Sequence, residues 1–416
     1  MSTGGTQDEC RVVHIFTFDS VPTLSNGESI ADVLELGRYG IHSGGGIMED
    51  ARAVSFPKRR IQIRRANAEK VYLDVEPSVW RTNDGYGQLH LRQWMDQSPE
   101  EISEILELLC HERHEYLIDG KELKAWFSEL IGARDEYPRL LQDVLQIVYF
   151  PRPKPGDFLF GDGSPNLSTL QLIYRSRKAD LTTTGVIRMP EELNRNKESF
   201  CVHGRGVIVL GGHQNSTADA LTMTSIELLV SMSRARVIRR ELKQKLDEAE
   251  RSEKWNSQSF LDSVARVSRR KHLDLEVGVR SYSDGLHMPE IVMDCFRESY
   301  RDSLRLDDIL ESSTSLVAAL ESVSRASLAD VRLDAARRAE RRQRKWGLLV
   351  GLGSGVLVPI SMLFSYYSVN SQVQSPSGVS IFSWQQYWIP WAVAGAVILI
   401  VCVMTIVNYR KNGLED

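Results

Sequence analysis

The sequence Arg337-Arg-Ala-Glu-Arg-Arg-Gln-Arg-Lys345 is followed at once by Trp346-Gly-Leu-Leu-Val-Gly-Leu-Gly-Ser-Gly-Val-Leu-Val-Pro-Ile-Ser-Met-Leu-Phe-Ser-Tyr-Tyr367, and this junction decides the fold. The second stretch carries no charge. A second uncharged run, Trp388–Tyr409, ends on Arg410-Lys411. As helices, both runs are long enough to cross the roughly 30 Å hydrocarbon core of a bilayer. The intervening loop, residues 368–387, is also free of charge. Basic residues are retained on the cytoplasmic side. The expectation is therefore an integral, multi-pass protein of the cell's inner or plasma membrane, with both termini cytosolic: transmembrane helix 1 at 346–367, an outer loop at 368–387, transmembrane helix 2 at 388–409 and a short tail at 410–416.

The remaining chain, about 340 residues, is long enough for one or two folded domains. The predicted class is α+β, with an N-terminal α/β cytosolic domain over 1–214, a helical pair over 215–285 and a stalk helix over 286–345. Strands are expected at Val12–Phe18, Arg60–Arg64, Val71–Val75, Val144–Phe150, Phe158–Phe160, Leu170–Tyr174 and Cys201–Leu210, from β-branched and aromatic content between turn residues. Helices are expected at Pro99–Tyr116, opened by Ser98 with Glu101, and at Gly120–Leu130. The Gly-rich piece Tyr39–Gly46 reads as a mobile loop. From Ser216 to about Ser252 the apolar residues repeat at helical spacing, and a second helix returns near Gln258–Arg270. A turn follows around Ser283–Pro289. Between Glu290 and Trp346 there is neither Gly nor Pro, enough for roughly 85 Å of unbroken helix. Leu306, Ile309, Leu316, Leu320, Val323 and Val331 give it one apolar stripe, and with no cap before the membrane it should continue into the first span.

The net charge of −4 and the confinement of basic clusters to the bilayer boundary argue against a nucleic-acid partner. Five scattered cysteines without CxxC spacing argue for thiols rather than a disulfide framework. The polar first residues carry no signal peptide. Cys110 and His114, four apart, lack two further ligands for a metal site. His203–His213 has glycines but neither Walker spacing nor a Lys-Ser/Thr ending, and reads as a strand between turns. No catalytic motif has its structural context, so no enzyme activity is expected.

The first span has a polar face. Gly347, Ser354, Ser361, Ser365 and Ser368 fall within about 60° of one another at 100° per residue. Val350 and Val358 lie within roughly 40° to 60° of that line, placed to form dry constrictions in a water path. Arg344 lies close to the same face at the cytosolic mouth, where its charge would either oppose cations or snorkel to lipid phosphates. Arg337, Arg338, Arg341 and Arg342 read as interfacial anchors on anionic lipid. The competing explanation is packing, since Gly347, Gly351 and Gly355 recur every four residues and small residues let helices approach closely.

The end of this span, Val358-Pro359 through Tyr367-Ser368-Val369-Asn370, resembles the end of the first membrane helix in the CorA family of divalent-cation transporters, where an aliphatic–Pro pair precedes Tyr-Gly-Met-Asn at the same distance. Pro359, Tyr367 and Asn370 match by identity, and the order of elements matches along the chain. The resemblance implies a funnel-shaped homopentamer with five first spans lining an axial pore. It also implies an Asn370 amide ring touching the hydration shell of Mg²⁺ or another divalent cation, which would be cargo and regulator rather than a resident cofactor. Ser368 and Val369 depart from the family's Gly-Met, and the uncharged outer loop lacks the acidic residues that enrich cations. Two other readings stay open: a membrane effector pore opened by a cytosolic signal, and a non-conducting, membrane-anchored interaction protein.

Overall fold

A computed structural model describes residues 9–24, 27–40, 50–64, 70–83, 85–95, 98–110, 115–133, 139–175, 187–251, 258–280, 290–371 and 384–412. The chain divides into two compact units, Met1–Ser252 with Asp262–Ser322, and Glu253–Leu261 with Val323–Asp416.

The first unit is built on a mixed sheet of eleven strands. These are β1 (Cys10–Phe18), β2 (Glu28–Ser29), β3 (Arg52–Ser55), β4 (Arg59–Arg64), β5 (Lys70–Arg81), β6 (Gly87–Met95), β7 (Glu115–Ile118), β8 (Lys121–Glu122), β9 (Leu140–Phe150), β10 (Phe200–His203) and β11 (Val207–Gly211). The main path runs β10-β11-β9-β1-β6-β5-β4-β7-β8, with β2 and β3 attached beside β5. Only β9 and β11 pair in parallel among the described strands.

Alternation along β1 divides the core into two faces. Cys10, Val12, Phe16 and Phe18 pack with α2 (Pro99–Cys110), α3 (Leu123–Leu130) and α4 (Leu167–Tyr174). Arg11, on the opposite face, reaches Asp219 at the start of α5 (Asn215–Arg251). Most of β1 is thus buried on both sides, so the strand reads as a nearly continuous apolar run.

Several sequence expectations change here. Leu170–Tyr174 is helix, not strand: the Asn166 side chain accepts the Thr169 N–H and opens α4. Ser103 of α2 then donates to the Gln171 carbonyl and locks the two helices together. Phe158–Phe160 forms a turn with an isolated bridge between Leu159 and Pro165. Cys201–Leu210 is a hairpin, interrupted at Gly204-Arg205-Gly206. The helix opened by Ser98, whose hydroxyl accepts the Glu101 N–H, ends at Cys110, and Tyr116 belongs to β7. Most of the Gly-rich piece lies outside the described residues, but Tyr39 is 1% exposed and is core, not loop. The turn at Ser283–Pro289, like His111 and His114, also lies outside them.

The helical pair appears as α5 and α6 (Gln258–Leu275), the latter ending in a π-turn at Glu276–Arg280. The unbroken stalk does not appear. Helix α7 (Ile291–Leu304) stops at Arg305, which is left-handed at φ 52°, ψ 44°, and α8 (Leu306–Ser371) starts afresh. Leu304 and Leu306 are both fully buried, so packing on either side holds a conformation costing about 1–2 kcal/mol for a residue with a Cβ. The buried stripe of α8 runs through Leu306, Ile309, Leu310, Ser313, Val317, Leu320 and Ser324, with Leu316, Val323 and Val331 only half-buried.

Candidate functional site in the C-terminal helices

Helix α8 spans 66 residues without interruption, so the stalk segment and the first apolar run form one element, as the missing cap implied. It is long and apolar enough to cross a membrane. A helix of that composition is otherwise found in a protein core, but only 6% of its most apolar stretch is buried. Trp346, Leu349, Val350, Leu357, Met362 and Phe364 are all exposed. Such a surface marks a contact with a membrane or with another protein. The second run forms α9 (Trp384–Asn412), which contains a shorter apolar stretch, Trp391–Met404.

The two helices meet at Gly355. A Cβ there would run into the Val401 side chain, so the absence of a side chain is what permits the approach. On α9 the less exposed described positions are Trp391, Ala394, Ile398, Val401 and Cys402, which share one side of the helix. Gly347 has no neighbour near its Cβ position. Within the chain, the packing explanation therefore holds at Gly355.

The serines face elsewhere. At 100° per residue Ser354 lies about 100° from Gly355, and Ser361 about 120° from it. Ser354, Ser361, Ser365 and Ser368 are exposed, as are Gly347, Val350 and Val358. The Ser354 hydroxyl donates to the Gly351 carbonyl (3.1 Å) and that of Ser361 to the Val358 carbonyl (2.9 Å). Returning the donor to its own helix lets serine sit outside water, while the oxygen lone pairs stay available. Pro359 has no N–H to give, which leaves the Gly355 carbonyl without its usual intrahelical donor.

Tyr367-Ser368-Val369-Asn370 lies inside α8, and Ser368 is helical. The left-handed conformation that a glycine would favour is not used at Ser368, so serine carries no backbone strain there. The side chains of Tyr367, Val369 and Asn370, and residues 372–383 between the two helices, lie outside the described residues. Helix α8 extends four residues past the expected boundary at Tyr367, and α9 starts four residues before Trp388.

Arg344 is paired in its own helix with Glu340 (2.9 Å, one turn back). Both side chains are well exposed, so the pair contributes at most a fraction of a kcal/mol to stability. Its consequence is local: the arginine's field at the end of the apolar stretch is partly compensated.

Among the described residues no group of three or more His, Cys, Asp or Glu side chains is placed to hold a metal ion. Buried histidines in the first unit are structural. His14 bonds Gln146 (3.0 Å) and has its pKa pushed to about 3, by burial and then by Arg175. His203, held to about 4 chiefly by burial, bonds Ser299 of α7 and stacks edge-on to Phe296 and Tyr300. No family model, no curated protein and no solved structure matches the chain.

Proposed function

We propose that the chain is a CorA-like membrane channel or transporter, assembled as a homopentamer, that passes Mg²⁺ or another divalent metal cation passively. In this reading five copies of the apolar half of α8 surround an axial water path, α9 packs outside them, and both ends of each chain face the cytosol. Gly347, Ser354, Ser361 and Ser365 line the path, Val350 and Val358 constrict it, and the Tyr367–Asn370 segment forms its outer mouth. Asn370 offers amide oxygens to a hydrated ion, which suits a cation that dehydrates reluctantly.

One observation carries this reading. The hydroxyl face of α8 is turned away from Gly355, where α9 packs, and stands exposed in the single chain. The Ser354 and Ser361 donors are returned to the helix, but a stripe of hydroxyl oxygens keeps acceptor lone pairs that a water-filled path would satisfy and lipid would not.

The test is flux in liposomes. Purified protein should pass Mg²⁺, Co²⁺ or Zn²⁺ in preference to K⁺, and Asn370→Ala should abolish or reshape that flux. A monomeric particle, or flux indifferent to Asn370, would remove the pore or its mouth from the mechanism. The helical Tyr367-Ser-Val-Asn370 segment favours a second reading, a pore opened by a cytosolic signal and not used for Mg²⁺ uptake. Failure to restore growth of a host deficient in Mg²⁺ uptake, together with intact flux in vitro, would select it.

A further inference from the structure

The first unit contains a cavity of about 560 Å³ far along the chain from the apolar helices. That volume lies within the range of small-molecule sites. Its walls come from β1, α2, β7, α3, β9, α4, the β10–β11 turn and α5. Phe16, Leu109, Val144 and Met232 make an apolar floor. Four cationic side chains stand around it: Lys124, Arg175, Arg205 and Arg236. None of the described lining residues is acidic. Three of these, Lys124, Arg175 and Arg205, face the hollow with no carboxylate in its described lining, an unbalanced arrangement because like charges repel.

Arg175 shows how the site is built. It ends α4 in a left-handed conformation (φ 54°, ψ 40°), a backbone cost for a residue with a Cβ. That geometry directs its guanidinium between Cys110 and the β10–β11 turn. Nη1 donates to the Cys110 sulfur at 2.7 Å, a weak acceptor, and Nε is buried without a partner. Gly206 leaves the room: a Cβ there would collide with Nη2 of Arg175. The charge reaches inward as well, since it helps to keep His14 neutral. Lys124 and Arg205 are exposed at the rim and have no carboxylate partner among the described residues.

We propose that this cavity binds a small organic anion, an apolar or aromatic body ending in a phosphate or carboxylate. The head group would meet Arg175, Arg205 and Lys124, with the planar guanidinium forks matching its oxygens, and the body would rest on Phe16, Leu109 and Met232. The proposal is independent of whether α8 conducts ions, and its test is a binding measurement without flux.

Full-length protein in lipid nanodiscs is titrated calorimetrically with 1-naphthyl phosphate, 1-naphthoate, neutral 1-naphthol and inorganic phosphate. At least one naphthyl anion should bind with a Kd below about 1 mM and at least tenfold more tightly than 1-naphthol. The tighter of the two names the head group. The rim variant K124Q/R205Q should weaken that anion at least tenfold while leaving 1-naphthol unchanged. Gly206→Ala, which displaces only the far end of Arg175, should weaken it as well, and decides the matter if the rim variant loses its thermal transition. Absence of binding by both anions, equal binding of 1-naphthol, or unchanged affinity in the folded variants would overturn the proposal.

Discussion

Two long helices of this chain meet their surroundings in opposite ways. In α5, residues 218–233 are buried on every side within protein. In α8, the apolar residues beyond Trp346 are exposed on nearly every side. Both use the same device for their hydroxyls: Thr222, Thr224 and Ser225 of α5 donate to carbonyls one turn back, as Ser354 and Ser361 of α8 do within their own helix. They differ in charge. The buried part of α5 keeps Asp219, which binds Arg11 and the Glu35 N–H, because partners are within reach. From Trp346 to Ser371 α8 keeps none, because a surrounding lipid would offer none. An apolar helix thus belongs to a core or a bilayer according to how its exceptions are satisfied, more than by its mean hydropathy.

The strongest way to break the contrast is Asp219→Ala. It leaves the Arg11 guanidinium buried and unpaired, and should destabilise the first unit by about 3–5 kcal/mol, read as a lowered midpoint of thermal unfolding by near-ultraviolet circular dichroism. Next in size, Leu349→Asp should cost up to roughly 2.5–3.5 kcal/mol of insertion, the value for the centre of a span, and shift the protein out of the carbonate-resistant membrane fraction. Ser354→Asp sharpens the point: if its face meets water, that variant stays in the membrane. Equal extraction of the two would argue that the serine side faces acyl chains. Gly355→Val should separate α8 from α9 at Val401, at about 1–3 kcal/mol, measured as lower thermal stability in detergent.

Acid lability is the most gradual effect, small over any one unit of pH. His14, His90 and His203 are buried with pKa values pushed to about 3, 3 and 4, mainly by burial. The unfolded chain therefore binds more protons than the folded one below pH 6.5. Their neutral form contributes full stability above that pH, and the contribution falls as pH drops towards 4, by at most about 1.4 kcal/mol per pH unit per histidine. His203→Gln, able to keep a bond to Ser299, should flatten part of that slope in a series of unfolding midpoints against pH.

Much of this architecture was legible in the residues. The two spans follow from the absence of charge, α5 from its helical periodicity and β1 from its β-branched and aromatic content. Strand β6 escaped because Gln88 and His90 alternate with leucines and look like a solvent face, yet both are buried. Leu170–Tyr174 has strand composition, and only the Asn166 cap and the Ser103 contact make it helix. The break at Arg305 has no local signal, since its cause is the packing of the two leucines beside it. On α8 the serine periodicity was readable, but the side taken by α9 required Val401, some 46 positions on. The cationic cavity was not readable at all, because its lining is gathered from positions 16 to 236.

Pro359 carries a mechanical consequence. With one rung missing from the ladder at Gly355, the apolar half of α8 is least stiff where its close neighbour touches it. Torque applied along the helix would concentrate at that joint, and the turns above it would swing while those below held their line.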